Sequence, residues 1–239
     1  IGVEELKRIH KFLKEPKMKV GFDKNLYIWE EHNPNESYMI TADVARGDGT
    51  DYSTFHVIKL QTLEQVAEYR GKLSTELFSK LLFDIGREYG DSMIVVENNN
   101  LGFSVCEKII QLNYPNVYFA EKGTQEYIPP YLAKNLENAV AGFTTSHKSR
   151  PLMISKLEES IRRGYLVINS ERTYKELETF VWNNGKAEAQ RGHNDDLVMP
   201  LAIACWVKDT ALKANERTLE DRKSTRLNSS HSSVSRMPS

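Results

Sequence analysis

The chain has little of what would hold a small secreted or membrane protein together. Its two cysteines, Cys106 and Cys205, are too few for a disulfide framework. Both stand in apolar helical patterns, which predicts reduced core thiols in a cytoplasmic-type protein. No apolar run is long enough to cross a bilayer, so no membrane partner is expected. No leader with a basic start and an apolar centre opens the chain. Neither sign of charge dominates: 32 Lys and Arg against 33 Asp and Glu leave a net charge of −1, so bulk charge announces no polyanionic partner. A local basic groove stays open, because steering follows local potential. An initiator Met is missing from Ile1-Gly2-Val3, and the expectation is a fragment or processed piece.

What is present fits one large domain. A 40% apolar content over 239 residues supports a real core. Residues 3–15 have helical spacing up to Pro16. Residues 17–37 read as a polar connector interrupted by Leu26-Tyr27-Ile28-Trp29. Strand-like runs follow at 38–44, 52–60 and 63–72, an antiparallel meander. Residues 75–89 have helical period, 92–97 read as a strand buried on both faces, 101–112 as a helix, and 117–120 as a short strand. Residues 122–149 read as a long irregular loop. A helix over 151–163 with a basic end, a strand at 165–168 and a helix over 170–179 capped by Ser170 come next. A hairpin follows around Asn183-Asn184-Gly185-Lys186, then an apolar helix from about 194 to 213. This order predicts an α/β mixed sheet, antiparallel then parallel, flanked by helices. Seven of the last seventeen residues are Ser, with no apolar period, so 216–239 is expected to be a disordered tail. It also resembles translated sequencing-adapter read-through, and is expected to be non-native.

Three acidic positions carry the chemical signal. Tyr38-Met39-Ile40-Thr41-Ala42 ends on Asp43 and enters a Gly-rich turn, Arg46 to Thr50. Ser92-Met93-Ile94-Val95-Val96 ends on Glu97. Asp195-Asp196 stands where the last apolar helix begins. Strand ends hold carboxylates rigidly, and a helix N-terminus favours negative charge. Hard divalent ions prefer such oxygen ligands, and two ions roughly 4 Å apart can drive phosphodiester cleavage. Each residue also has a plainer reading: Asp43 and Asp51 as turn formers, Asp195 or Asp196 as a helix cap, Asn100 as the cap of the next helix. Glu97 is harder to dismiss, since a carboxylate buried without a partner is costly. His193 could serve as an outer base or touch a phosphate; its plain reading is an exposed side chain. Lys122, Lys134, Lys148, Arg150, Lys186 and Arg191, with Arg162 and Arg163, could grip a phosphate backbone or form only a solvated face.

The motifs together resemble a known family. Tyr38 to Gly47 with Asp51-Tyr52-Ser53, Ile94-Val95-Val96-Glu97-Asn98-Asn99, and Gly192-His193-Asn194-Asp195-Asp196-Leu197-Val198-Met199 look like the three nuclease motifs of tailed-bacteriophage large terminases. Gly142 to Ser146 with Lys148, Arg150 and Pro151 is similar to the same family, and the likeness spans about residues 20–212. It implies a ribonuclease H-like fold and a two-metal endonuclease, with Mg²⁺ or Mn²⁺, that cuts concatemeric viral DNA during packaging. Asp43 and Glu97 are then ligands; Asp195 and Asp196 both match, and either can be the principal one. Asp51 and His193 are supporting residues. The implied partners are double-stranded DNA, an N-terminal ATPase motor, the portal and the small terminase subunit. The implied location is the host cytoplasm, outside the mature virion. No Gly-x-x-x-x-Gly-Lys-Ser/Thr occurs, so this chain is not a complete motor. Residues 1–20 are then the end of the motor or its linker, and 21–215 the nuclease domain.

Two other classes stay open. Actin-like or sugar-kinase-like ATPases also follow a strand-end Asp with a Gly-rich turn, though a second phosphate loop and a role for Glu97 are missing. A DNA-gripping module with a vestigial acidic cluster is the other.

Overall fold

The computed structural model describes residues 1–21, 23–45, 51–183 and 185–214. The Gly-rich turn at 46–50, the hairpin residue Asn184 and the expected tail 216–239 lie outside the described residues. The chain opens with α1 (Val3–Phe12), β1 (Met18–Val20) and β2 (Leu26–Ile28). The meander is β3 (Tyr38–Asp43), β4 (Ser53–Lys59) and β5 (Glu64–Gly71). Then come α2 (Thr75–Glu88), β6 (Met93–Val96) and α3 (Gly102–Gln111). The main sheet has the order β1-β2-β5-β4-β3-β6, antiparallel throughout except that β6 joins β3 in parallel. This is the α/β mixed sheet flanked by helices that the element order predicts.

Period-2 alternation sorts the strands onto two cores. Ile40, Ala42, Ile94 and Val96 face a cluster with Phe78, Leu82 and Ile85 of α2 and Val105 and Ile109 of α3. Met39, Met93 and Val95 face the other side. There they meet α5 (Ser149–Arg162), α6 (Glu171–Thr179) and α7, which spans 198–214. A sheet covered on both faces explains why β3, β4 and β6 carry so few exposed residues. Both cysteines are buried and free, as their apolar settings predict. Among the described residues no helix is long and apolar enough to cross a membrane.

Several expectations change. The polar connector 17–37 supplies two strands to the sheet, because tertiary pairing with β5 compensates for its weak local pattern. The stretch 122–149 is not irregular. It holds β8 (Tyr127–Ile128), α4 (Pro130–Ala133) and β9 (Ala139–Ala141), and the two strands flank β7 (Phe119–Glu121) in a small sheet. Residues 165–168 make only a parallel bridge, Val167 to Glu64, rather than a strand. Asn100 does not cap α3: its φ is 52°, and the N-cap position is Leu101. Ser170 does cap α6, accepting the N–H groups of Arg172 and Thr173. The expected hairpin forms from β10 (Phe180–Asn183) and β11 (Lys186–Ala189). The N-terminal segment is packed in: Ile9 joins the core, and Arg8 bonds the carbonyls of Ile161 and Arg162.

Candidate metal centre

Alternation along β3 and β6 puts Asp43 on the face of Met39 and Glu97 on the face of Met93 and Val95, the side covered by α7. The parallel register Ala42↔Val96 brings the two strand ends level, and Glu97 N–H donates to the Ala42 carbonyl at 2.8 Å. Their carboxyl groups lie close enough for the charge of Glu97 to act on Asp43. Glu97 is steadied by Asn99, whose Nδ2 donates to Glu97 Oε1 at 3.3 Å and to the Thr145 carbonyl at 2.9 Å. Two glycines permit this packing. A Cβ on Gly102 would stand 1.8 Å from the Glu97 carbonyl, so only glycine lets α3 start so close. Gly142 has φ +81°, and its Cβ would press on Val96 O at 2.5 Å, where the chain turns so that Phe143 can bridge to Glu97.

The third acid arrives from the turn before α7. Asp196 is buried, and its Oδ2 accepts Tyr52 N–H and Asn194 Nδ2, each at 2.9 Å. Its carbonyl accepts the hydroxyl of Thr54 at 2.5 Å. Thr54 is the cross-strand partner of Asp43, so Asp196 lies over the strand end that carries Asp43. Asp195 points elsewhere: its Oδ2 accepts Arg150 Nη2 at 2.9 Å, while its carbonyl accepts the N–H groups of Val198 and Met199 as the cap of α7. The adjacent pair thus divides into one acid over Asp43 and one at a basic side chain, the pair that sequence alone leaves undivided.

Electrostatics follow from this crowding. Burial first, then the charge of Glu97 and the bond to it, then Asp196, push Asp43 well above the usual carboxylate range, against the Val44 N–H bond at 2.8 Å. Burial likewise raises Asp196, opposed by its bonds from Tyr52 and Asn194 and aided by the charges of Asp51 and Asp195. Among the described residues no Lys, Arg or His ion-pairs with Asp43, Glu97 or Asp196. The donor set is all oxygen, which fits a hard divalent cation. Among the described residues, however, no three Asp, Glu, His or Cys side chains are grouped so that they could hold a metal ion as they stand. Asp43 and Glu97 are neighbours, while Asp196 is engaged by Tyr52 and Asn194.

An open cleft of about 670 Å³ is lined by Arg150, Lys186, His193, Trp182 and, of the four candidate acids, Asp195 alone. Reciprocal bonds between Ser146 and Ser149 start α5 two residues earlier than its apolar pattern predicts, which turns Arg150 into the cleft wall. Arg150 also donates to the Ala187 carbonyl at 3.2 Å, tying the hairpin to the site. Lys148 and Arg191 are exposed beside cleft residues His147 and His193; Lys186 pairs with Glu188 at 2.7 Å. Asp51 is exposed close enough for Asp196 to feel its charge, and His193 is exposed on the cleft wall. The structure does not bring Lys122 and Lys134 to the cleft; they are exposed beside the small sheet. Arg162 and Arg163 sit at the far end of α5, about 18 Å from Arg150 at 1.5 Å per residue.

Sequence reading missed a buried polar stripe. Thr54, His56, Glu68 and Arg70 occupy alternate positions of β4 and β5 on the Asp43 face, paired Thr54↔Arg70 and His56↔Glu68. Polar residues at period two inside apolar strands were the available signal.

No protein-family model matches the chain. Among solved structures, the large terminase nuclease of thermophilic phage G20c with bound magnesium superposes with a TM-score of 0.62 at 20% identity, over 84% of this chain and 95% of that one. The same nuclease with bound cobalt gives 0.62 at 19%, with 84% and 95% covered. The large terminase nuclease domain of Thermus phage P74-26 gives 0.60 at 21%, with 84% and 93% covered. The chain therefore has the ribonuclease H-like fold of large terminase nuclease domains.

Proposed function

We propose that the domain is a metal-dependent DNA endonuclease that cuts concatemeric viral DNA during genome packaging. The observation that carries this reading is the grouping of Asp43, Glu97 and Asp196 on one side of the sheet, with no ion-paired cation among the described residues, near a cleft walled by Arg150, Lys186 and Asp195. Asp43, Glu97 and Asp196 would be the oxygen ligands for two Mg²⁺ or Mn²⁺ ions, which when bound would supply an activated water and relieve charge on the leaving oxygen. Asp195 would be the further ligand if a DNA phosphate took its place on Arg150, since a guanidinium pairs with either group. Asp51 and His193 support the site from its rim. Lys148, Lys186 and Arg191 take further phosphates, with Lys122 and Lys134 as outlying contacts. Residues 1–20 are the end of an ATPase motor or its linker, 21–215 the nuclease domain, and 216–239 a non-native tail. Portal, small terminase subunit and motor are the partners, in the host cytoplasm and not in the mature virion.

The test is plasmid cleavage. With Mg²⁺ or Mn²⁺ the chain should nick duplex DNA with little sequence preference, because phosphate contacts carry little sequence information. Full activity in EDTA would sink the metal mechanism.

A further inference from the structure

The backbone of Asp196 and Leu197 is held by side chains from distant parts of the chain. Thr54 Oγ1–H donates to the Asp196 carbonyl at 2.5 Å. Glu176 Oε2 accepts Leu197 N–H at 2.7 Å. His56 Nε2 lies 2.8 Å from the Leu197 carbonyl, and since a carbonyl only accepts, the ring nitrogen donates. Gln65 Nε2 reaches the other ring nitrogen at 2.9 Å, and its own orientation is fixed because Oε1 accepts the N–H groups of Asn169 and Ser170. Three successive backbone groups before α7 are therefore tied to β4 and α6 rather than left to solvent. Arg70 closes the cage: it stands 3.5 Å from Glu176 Oε1 and 4.0 Å over the Tyr52 ring, while Tyr52 N–H holds the Asp196 carboxylate. Thr54 and Glu176 are buried, and neither side chain reaches the cleft lining.

We propose that Thr54 and Glu176 are positioning residues that clamp the turn before α7 and so fix the Asp196 carboxylate over Asp43. The inference rests on the metal-site reading above. Thr54 serves both acids at once, as the cross-strand partner of Asp43 and the donor to Asp196. Residues that orient a ligand in this way typically govern metal affinity by about 10–100-fold when removed.

The experiment is Mn²⁺ titration of the 239-residue chain by calorimetry, without DNA, beside thermal melting. Thr54→Val keeps shape and removes the donor, and should weaken Mn²⁺ binding about tenfold. Thr54→Ser restores the hydroxyl and should recover most of that loss. A role in stability alone would lower the melting temperature and leave Mn²⁺ affinity unmoved. Thr54→Val binding Mn²⁺ like wild type, while Asp43→Asn does not, overturns the clamp and leaves the metal site standing. A wild-type chain that takes up no Mn²⁺ overturns both. Should Thr54→Val fail to fold, Glu176→Ala and Glu176→Gln test the other arm. Only Gln keeps an acceptor for Leu197 N–H, so equal Mn²⁺ affinities for the two overturn the proposal.

Discussion

Two acidic centres share one face of the main sheet and are built in opposite ways. Glu68 is fully buried, and everything a carboxylate needs surrounds it: Arg172 Nε at 2.7 Å, Gln65 Nε2 at 3.0 Å and the Thr173 hydroxyl. Among the described residues, Asp43 meets the Val44 N–H and two other acids, Glu97 and Asp196. A buried charge with cation and donors in place is a finished structural element; one whose close neighbours are acids leaves its charge to be balanced from outside. The contrast separates fold-holding acids from site acids where burial alone would not.

Substitutions should break this contrast along predictable lines. The largest effect is expected from Asp43→Asn, which should lower plasmid cleavage by a factor of about 100 or more while the melting temperature holds or rises, since a like-charge contact is removed. Normal cleavage by this variant would remove Asp43 from the site. Glu68→Ala should do the reverse, costing about 3–5 kcal/mol in urea unfolding because Arg172 loses its partner.

A pH series sharpens the comparison. Asp43 is raised mainly by burial and Glu97, and burial pushes Glu176 up to about 8. A carboxyl that binds its proton more tightly when folded loses stability as pH rises from the unfolded value through the folded one. The metal-free chain should therefore melt progressively lower as pH rises from about 4.5 towards 8, with the slope shallower in Asp43→Asn and in Glu176→Gln. Added Mn²⁺ should restore more at the upper end of that range than at the lower. A flat wild-type profile would contradict the crowding of acids described here.

The smallest effects belong to the cleft. Lys148→Ala and Arg191→Ala should each reduce the slope of log affinity for duplex DNA against log salt by about 0.9, whereas Arg162→Ala, about 18 Å along α5, should leave it unchanged. An equal loss from all three would mean that DNA lies along the whole helix.

The reach of the sequence differs between the elements. β3 and β6 were legible because both faces of the sheet are covered, which writes unbroken apolar runs ending at a carboxylate. Arg150 was legible as a basic residue but not as a partner of Asp195, because its placement depends on the Ser146–Ser149 bonds that start α5. β7 was legible as a short strand, but β1, β2, β8 and β9 were not, because they are two to three residues long and gain their order from neighbours.

The sequence by itself determined which acids could act together. Two apolar runs end on Asp43 and Glu97, and Asp195-Asp196 opens the last apolar helix; the register of β3 with β6 then puts the first two on one face. Only the tertiary structure decided which of Asp195 and Asp196 lies over Asp43. Neighbouring residues at a helix start point in different directions, and the choice rests on Thr54, His56 and Tyr52, more than 140 residues earlier in the chain, and on Glu176 in α6. Local spacing cannot encode that decision, because the bonds that make it exist only after the sheet and helices have packed.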